Sequence, residues 1–403
     1  MPPRPAHPDL LTRREFLTRA AAAGGAAAAG VVLAGGAKAG AGDAAGAAAL
    51  GVKGNLSDRE AMFYEKLPEQ KVRCGICPRR CEISDGERGW CGVRENRKGT
   101  YTFLVYGKAC SANIDPIEKK PLYHYLPGST ALSVATAGCN FECKFCQNWE
   151  ISQVRPEQVP SRDLPPRRLV EIATRQNIPS LAFTYSEPVI FYEYMHDSAK
   201  LARAAGVGST MISNGYIEEK PMRQVCEQLT AVKVDLKAYS EDFYQKVCRG
   251  TLQPVLKTIL LCRKIGIHLE LVVLLVPTLN DGDKELTDMA KWIVDNLGPD
   301  VPLHFSRFNQ MYRLKNLPPT PVKTLHRAHQ LAKAAGIHFV YIGNVPMDPA
   351  NHTYCYKCGR LLIRRLGYLV RENGVTRDGK CPACGAAIAG IWTKAQAFAP
   401  RKT

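Results

Sequence analysis

The stretch GCNFECKFCQNW, Gly138 to Trp149, decides the fold, and it contains three cysteines with the spacing C-x3-C-x2-C. These are Cys139, Cys143 and Cys146. Gaps of two and three residues aim neighbouring thiols at one point, which indicates a metal site rather than disulfides. Electron-transfer clusters and structural zinc sites normally have four protein ligands, so this set is one short. Three thiolates can hold three irons of a cubane cluster and leave the fourth iron open; a zinc ion completed by a distant His or Cys is the alternative.

The composition describes a globular chain without selecting a partner. The chain has 403 residues, 45% of them hydrophobic, which suffices for one large α/β domain with appendages or for two ordinary domains. The formal net charge is +17, which allows nucleotides, RNA or acidic proteins as partners. A basic balance also simply keeps a protein soluble, so the charge alone decides nothing about binding.

Downstream of residue 130, short apolar runs alternate with amphipathic segments of helical periodicity. The runs are 131–137, 180–185, 208–213, 231–237, 268–277, 302–308 and 338–343. Nearly continuous apolar runs indicate buried parallel strands, and strand–helix repeats of this length predict an α/β fold with a parallel sheet. We expect a full or partial (β/α) barrel rather than an open doubly wound sheet. The three cysteines directly follow the first strand, at the end where barrel enzymes carry their sites.

Several further stretches, in the same order along the chain, share a family likeness with the cysteine loop. They are residues 74–96, 115–129, 184–188, 234–244, 276–281 and 304–314. With the cysteine loop they resemble the radical S-adenosylmethionine (SAM) superfamily over most of residues 70–385. The closer likeness is to the radical SAM member of the AmmeMemoRadiSam system, which is itself similar to pyruvate formate-lyase activating enzymes.

The resemblance implies a cofactor, a reaction and a set of partners. It implies a 4Fe–4S cluster on Cys139, Cys143 and Cys146, with the amino and carboxylate groups of SAM on the open iron. One electron from the cluster, which an electron donor reduces, then cleaves SAM to methionine and a 5′-deoxyadenosyl radical, which abstracts a substrate hydrogen. The family name implies Memo-like and AMME-type proteins as partners.

The resemblance also implies positions for SAM contacts at strand ends. Glu187 matches the acidic position that accepts a hydrogen bond from the methionyl ammonium. Asp235 and Lys237 match positions near the methionyl carboxylate, and Asp235 suits a monovalent cation. Asn214 and His304 are further candidates for ribose or carboxylate contacts. An ordinary polar residue at a strand end is the alternative at each of these five positions.

Two other cysteine sets flank the predicted barrel. Cys355, Cys358, Cys381 and Cys384 form two C-x2-C pairs that predict a zinc ribbon, with an iron–sulfur cluster as the alternative. The spacing of Cys74, Cys77, Cys81 and Cys91 suits either zinc, our first expectation, or an auxiliary cluster. The isolated cysteines are expected to be small buried hydrophobic residues; they are Cys110, Cys226, Cys248 and Cys262.

The N-terminus resembles a twin-arginine export signal. Arg13-Arg14 precedes an Ala/Gly run and the small-x-small site Ala37-Lys38-Ala39. We therefore expect export to the periplasm or another extracytoplasmic space. Retention in the cytoplasm is the alternative, because SAM and low-potential electrons are cytosolic supplies. No later segment reaches the roughly 20 apolar residues of a membrane span.

These patterns divide the chain into five predicted segments. They are a signal peptide (1–39), a flexible linker (40–66), a Cys-rich metal-binding module (67–110), a radical SAM barrel (111–346) and a zinc-ribbon-like module (347–403). The function expected first is a radical SAM enzyme of an AmmeMemoRadiSam system. A glycyl radical enzyme activase, or a zinc or iron–sulfur protein for nucleic-acid binding or electron transfer, are the alternatives. Nucleic-acid binding is disfavoured, because basic and aromatic residues interleave only faintly, at 364–377.

Overall fold

Parallel strands form the centre of the molecule, and an N-terminal and a C-terminal module flank them. The structure, a computed structural model, describes residues 54–401. The predicted signal peptide, 1–39, and residues 40–53 of the predicted linker lie outside the described residues. Within residues 54–401 no helix has the length and apolar character needed to cross a membrane.

The N-terminal module is built from short antiparallel strands. They are β1 (Arg59–Glu60), β2 (Tyr64–Lys66), β3 (Val72–Cys74), β4 (Glu82–Ile83), β5 (Arg94–Arg97), β6 (Thr100–Phe103) and β7 (Lys108–Ala109). Strands β1, β6 and β5 form one sheet, and β2, β3 and β4 form another. Part of the predicted linker is therefore ordered into strands. The prediction of a flexible linker up to residue 66 is therefore wrong for β1 and β2. Both strands pair with strands of the predicted Cys-rich module, β1 with β6 and β2 with β3.

Eight strands form the central sheet. In chain order they are β8 (Ser111–Pro116), β9 (Thr130–Ala135), β11 (Ser180–Phe183), β12 (Gly208–Ser213), β13 (Ala231–Asp235), β14 (His268–Leu275), β15 (Leu303–Arg307) and β16 (Val340–Gly343). The order across the sheet is β16-β15-β14-β13-β12-β11-β9-β8. All seven predicted strands are present and parallel, so the predicted fold class is confirmed. The short strand β10 (Arg162–Asp163) pairs with β7 outside this sheet.

The sheet is open, so the barrel is partial. Strand β8 runs antiparallel to β9 and forms one edge, while β16 forms the other. Among the described residues no strand pairing joins these two edges. The segment SANIDP of β8 was not predicted as a strand, because its three apolar residues form no continuous apolar run.

Helices connect the parallel strands. They are α1 (Trp149–Ser152), α2 (Pro166–Arg175), α3 (Tyr192–Ala204), α4 (Glu219–Cys226), α5 (Glu241–Phe243), α6 (Leu252–Ile265), α7 (Asp283–Leu297), α8 (Val322–Ala334) and α9 (Lys394–Phe398). A π-helical turn, Tyr244–Cys248, follows α5 directly. Helix α6 ends at Gly266, whose φ of 71° is a left-handed conformation that glycine adopts without steric cost.

The connection between β8 and β9 closes one end of the sheet. Its residues Leu122, Tyr125 and Leu126 are buried against side chains from the inner face of the sheet, including Ile212. The Tyr125 hydroxyl lies 2.7 Å from Oγ1 of Thr230, the residue before β13. We call residues 117–126 the floor segment, because it lies at the amino ends of the parallel strands and leaves their carboxyl ends for a site.

The C-terminal module carries a three-stranded antiparallel sheet. Its strands are β17 (Thr353–Tyr354), β18 (Leu361–Leu366) and β19 (Leu369–Asn373). Arg365 of β18 is buried and donates to the carbonyl of Tyr123 in the floor segment at 2.9 Å. The module therefore packs directly on the closed end of the barrel.

Candidate functional site

The three-cysteine loop begins where β9 ends. Gly138 has φ of 99°, and a Cβ atom there would lie 2.8 Å from the Cys91 carbonyl oxygen, so only glycine fits. Two backbone hydrogen bonds attach the loop to the π-helical turn: Glu142 N–H to the Cys248 carbonyl at 2.9 Å and Lys144 N–H to the Val247 carbonyl at 3.0 Å.

The donor set of this loop fits an iron–sulfur cluster. Cys139 interacts electrostatically with Cys143 and Cys146, and Cys143 also interacts with Cys146, so the three thiols lie close together. Burial raises the pKa of Cys139 well above its ordinary value and that of Cys146 to about 11. Thiols that are costly to ionise alone become thiolates when a cationic metal group shares the site. Converging buried thiols are therefore suited to such a group.

A fourth sulfur lies beside the set. The Cys248 side chain is hydrogen-bonded to Cys143, and this contact, followed by burial, raises the pKa of Cys143. Nothing in the sequence singled out Cys248, because it is an isolated cysteine and was expected to be a small buried hydrophobic residue. Only the π-helical turn brings it to the loop.

Glu187 lies at the end of β11 and is 2% exposed. Its Oε1 accepts from the Ser213 hydroxyl at 2.6 Å and from the Val189 N–H at 3.1 Å. Its Oε2 accepts from the Asn214 N–H at 2.8 Å. Burial raises the pKa of Glu187 to about 7, against the opposing effect of these hydrogen bonds. Electrostatic interaction with Cys139 places this carboxylate beside the cysteine loop.

Asp235 and Lys237, at the end of β13, form an ion pair of 2.9 Å. Lys233 also bonds the Asp235 carboxylate. Burial opposes ionisation of Asp235, but the two lysines outweigh it and hold the pKa of Asp235 at about 2. Lys237 interacts electrostatically with both Cys143 and Cys146. The structure therefore brings these predicted residues to the cysteine loop.

Asn214 and His304 take different positions. The Asn214 side chain donates to Oδ1 of Asn140, inside the cysteine loop, at 2.8 Å. His304 instead has its Nε2 2.7 Å from Oε2 of Glu270 and lies against the Tyr123 ring of the floor segment. Asn214 is thus part of the loop's surroundings, whereas His304 faces the closed end. Their contacts to SAM stay predictions.

The four C-terminal cysteines have the geometry of a tetrahedral metal site. Their sulfur atoms all lie within 4.8 Å of one another, with Cys355–Cys384 at 3.6 Å and Cys358–Cys381 at 3.7 Å. Zinc–sulfur bonds of about 2.3 Å in a tetrahedron place sulfurs about 3.8 Å apart. The set therefore fits zinc, and the identity of the metal stays a prediction.

The N-terminal cysteine set lies next to the three-cysteine loop, which the sequence did not indicate. Electrostatic interactions link Cys77 to Cys74, Cys81 and Cys91. Arg79, within this set, donates to the Asn140 carbonyl at 2.6 Å and interacts with Cys139. The metal of this set, zinc or an auxiliary cluster, stays a prediction.

Another ion cluster was missed in the sequence. Asp115 at the end of β8 accepts from Lys119 at 2.9 Å and from Lys120 at 2.5 Å. The Tyr185 hydroxyl bonds the same carboxylate, and the Lys120 ammonium lies 4.6 Å from the centre of the Tyr185 ring. The stretch DPIEKKP contributed to the family likeness, but it gave no sign that these side chains meet Tyr185, 70 residues away from Asp115.

Fold and site together define a class of protein: a partial (β/α) barrel with an open three-thiolate set at the carboxyl ends of its strands. A model of the radical SAM superfamily matches residues 133–293. An uncharacterised protein of Methanocaldococcus jannaschii, MJ0808, is 47% identical over 333 residues, 82% of this chain and 98% of that protein. MJ0674 of the same organism, also uncharacterised, is 32% identical over 125 residues, 30% of this chain and 31% of that protein. The chain belongs to the radical SAM superfamily.

Solved structures show a looser likeness. A domain of pyruvate-formate lyase-activating enzyme from Bacteroides vulgatus is 15% identical with a TM-score of 0.37, covering 40% of this chain and 98% of that domain. A radical SAM methyltransferase from Sphaerobacter thermophilus is 15% identical with a TM-score of 0.43, covering 57% of this chain and 70% of that chain. At these TM-scores neither likeness bears on the activity of this chain, and membership of the superfamily rests on the sequence matches.

Proposed function

We propose that this radical SAM enzyme holds a 4Fe–4S cluster on Cys139, Cys143 and Cys146 and cleaves SAM reductively. The observation that carries the proposal is the meeting of these three cysteines with Glu187 and Lys237 beyond the carboxyl ends of the parallel strands β9, β11 and β13. When bound, the cluster supplies one electron to the SAM sulfonium, giving methionine and a 5′-deoxyadenosyl radical that takes a hydrogen atom from substrate.

The protein's own groups bind and orient SAM in this proposal. Glu187 accepts a hydrogen bond from the methionyl ammonium, and its backbone and hydroxyl donors keep the carboxylate in position. Lys237 attracts the methionyl carboxylate, while Asp235 holds Lys237 in place and offers an oxygen to a monovalent cation. The floor segment closes the opposite end of the barrel and so helps to exclude water from the interior.

Anaerobic reconstitution tests the assignment. The protein loaded with iron and sulfide should release 5′-deoxyadenosine and methionine from SAM when reduced, and Cys143→Ala should abolish both products. Cys262→Ala is the matched control, because Cys262 is a buried cysteine in α6 that contacts Cys226 and not the loop. Product formation that survives in Cys143→Ala would contradict the proposal.

We infer from the family resemblance that the enzyme works in an AmmeMemoRadiSam system with Memo-like and AMME-type proteins and a separate electron donor. A glycyl radical enzyme activase is the competing assignment. Affinity purification of the chromosomally tagged protein under anaerobic conditions separates the two. Recovery of a Memo-like protein supports the first, and recovery of a glycyl radical enzyme supports the second.

Export by the twin-arginine route remains part of the proposal. That route carries folded proteins, which suits a chain whose metal groups are inserted in the cytosol. Fractionation of cells that express the native protein or the Arg13→Lys/Arg14→Lys form, with mass spectrometry of the N-terminus, tests it. Cleavage near Ala39 in the native form alone is expected. Full-length protein confined to the cytosol in both cases excludes export.

A further inference from the structure

The four cysteines of the N-terminal module lie together although they are spread over 18 residues, 74–91. The Cys74 N–H donates to the Cys81 carbonyl at 2.9 Å, which brings the first and third cysteines side by side. Gly89 packs against Cys81: a Cβ atom at Gly89 would lie 3.7 Å from the Cβ atom of Cys81. Because Gly89 is two residues before Cys91, this contact brings the fourth cysteine to the others.

Backbone N–H groups are directed at the sulfur atoms of this set. The N–H two residues further along the chain donates to the sulfur of Cys74 and to that of Cys77. The loop has the same arrangement, in which the Phe141 N–H donates to the Cys139 sulfur at 3.3 Å. Hydrogen bonds to sulfur stabilise metal-bound thiolates, so the N-terminal set has the local structure of a metal site.

The spacing of the sulfur atoms distinguishes a cluster from a zinc ion. Zinc holds four sulfurs about 3.8 Å apart, whereas a cubane 4Fe–4S group has one iron at each ligand and keeps its thiolates about 6 Å apart. The four ribbon sulfurs lie within 4.8 Å of one another. All four N-terminal cysteines belong to the described residues, and among them no three sulfurs meet this limit; the same holds for the three loop cysteines. The N-terminal set therefore shares the wider spacing of the loop and differs from the ribbon.

The N-terminal set and the loop are in direct backbone contact. The Cys91 carbonyl oxygen would lie 2.8 Å from a Cβ atom at Gly138, and Cys139 follows Gly138 in the chain. Arg79, within the N-terminal set, donates to the carbonyl of Asn140 on the other side of Cys139. One ligand of each set thus lies on either side of a single backbone contact, and metal groups bound there would be close neighbours.

We propose that the N-terminal set binds a second 4Fe–4S cluster, which passes its electron to the cluster on the loop. This inference rests on the proposed SAM chemistry, because that reaction consumes the electron. A low-potential electron-donor protein reduces the second cluster by one electron, and the same electron then reduces the loop cluster; the transfer forms and breaks no bond. Three of the four ligands are partly exposed, so the donor protein need not reach the SAM site; they are Cys77, Cys81 and Cys91.

A variant without the loop ligands tests the identity of the metal. The triple variant Cys139→Ala/Cys143→Ala/Cys146→Ala is purified anaerobically from cells supplied with both iron and zinc. We expect about four irons per chain and, after reduction, the electron paramagnetic resonance signal of a 4Fe–4S cluster that SAM does not alter. The N-terminal set is intact in this variant. Zinc in its place, or no metal beyond that of the ribbon, would overturn the inference.

Further substitutions assign this iron to the N-terminal set. Adding Cys77→Ser/Cys81→Ser to the triple variant should remove the iron. Adding Cys110→Ala should leave it, because the Cys110 sulfur contacts the Ala135 carbonyl and belongs to neither set. Iron that survives the loss of Cys77 and Cys81 would contradict the assignment.

Electron transfer is tested in the chain that has all three loop cysteines. Rapid mixing gives the rate at which the loop cluster is reduced by flavodoxin, a protein donor, and by sodium dithionite, a small one. The ratio of the flavodoxin rate to the dithionite rate should fall in Cys77→Ser/Cys81→Ser and stay unchanged in Cys110→Ala. If the double variant does not fold, Cys81→Ser alone removes one ligand. An unchanged ratio would show that the second cluster does not carry the electron.

The outcomes separate this inference from the proposed function. Zinc in the triple variant, or an unchanged ratio of reduction rates, would overturn the inference while leaving the SAM chemistry intact. Absence of 5′-deoxyadenosine from the native protein with either reductant would instead refute the proposed function, and the electron transfer with it.

Discussion

The hydroxyl group of Ser213 donates a 2.6 Å hydrogen bond to Oε1 of Glu187. This contact joins the end of β12 to the end of β11, and the backbone N–H of Asn214 adds a second link to the same carboxylate. The carboxylate is therefore held rigidly beside the cysteine loop before SAM arrives. Preorganisation of this kind reduces the entropy that a ligand contact would otherwise cost.

We expect Glu187→Gln to weaken SAM binding about 10- to 100-fold, the usual effect of losing a charged hydrogen bond to a buried group. Iron content should stay unchanged, because Glu187 contacts the predicted ligand and not the metal. Isothermal titration of SAM into the cluster-loaded protein, with iron analysis of the same sample, measures both. Loss of iron from the variant would contradict the role assigned to Glu187.

Cys248→Ala should leave the cluster in place and make its midpoint potential more negative. The side chains of Cys248 and Cys143 are hydrogen-bonded to each other. As a metal-bound thiolate Cys143 has no proton to donate, so in the loaded protein the Cys248 thiol would donate to it and stabilise the reduced, more negatively charged state. Electron paramagnetic resonance during a redox titration measures the shift, with Cys226→Ala as the control. An unchanged potential would show that the contact has no such effect in the loaded protein.

The double variant Cys358→Ser/Cys384→Ser should contain about one zinc ion per chain fewer than the native protein, because it breaks a closed four-sulfur site. Iron content should remain the same, and the zinc of the native protein should survive brief exposure to air. Metal analysis by mass spectrometry of both proteins is sufficient. Loss of iron in place of zinc would assign a cluster to the ribbon.

Stability should depend on pH through Glu118. Burial raises the pKa of this carboxyl to about 7, despite Arg365 nearby. A raised folded-state pKa means that the folded protein binds the proton more tightly, so the contribution to stability is present below about pH 4.5 and is lost as pH rises through 7. The full effect is about 3 kcal/mol. Denaturant unfolding at several pH values measures the free energy of unfolding. Between pH 4.5 and 7 this free energy should fall less steeply with pH in Glu118→Gln than in the native protein, and an identical fall would refute the assignment.

The sequence was sufficient for the parallel strands because each is buried on both faces and therefore reads as one apolar run. It was insufficient for β8, in which Ile114 is exposed and Asp115 is buried, the reverse of what their polarity suggests. It was also insufficient for β1 and β2, which have only two and three residues. Among the site residues, Glu187 and Lys237 could be predicted from the sequence, because they come shortly after strands and match family positions.

Lys120 and Cys248 illustrate what the sequence could not show. A lysine in a turn ordinarily points to solvent, and only the packing of the floor segment against the sheet buries Lys120 beside Tyr185. Cys248 stands alone in the sequence, and it is the last residue of the π-helical turn, whose wider winding an isolated cysteine does not predict. Both placements depend on tertiary contacts rather than on local pattern.

Arg79 of the N-terminal module holds the carbonyls of both Asn140 and Arg249, and so it spans the cysteine loop and the segment that supports it. The module containing Arg79 leaves the ribosome before the loop does. The cysteine loop therefore depends on a chain segment made before it: without the N-terminal module, the carbonyls of Asn140 and Arg249 would lose the guanidinium that joins them.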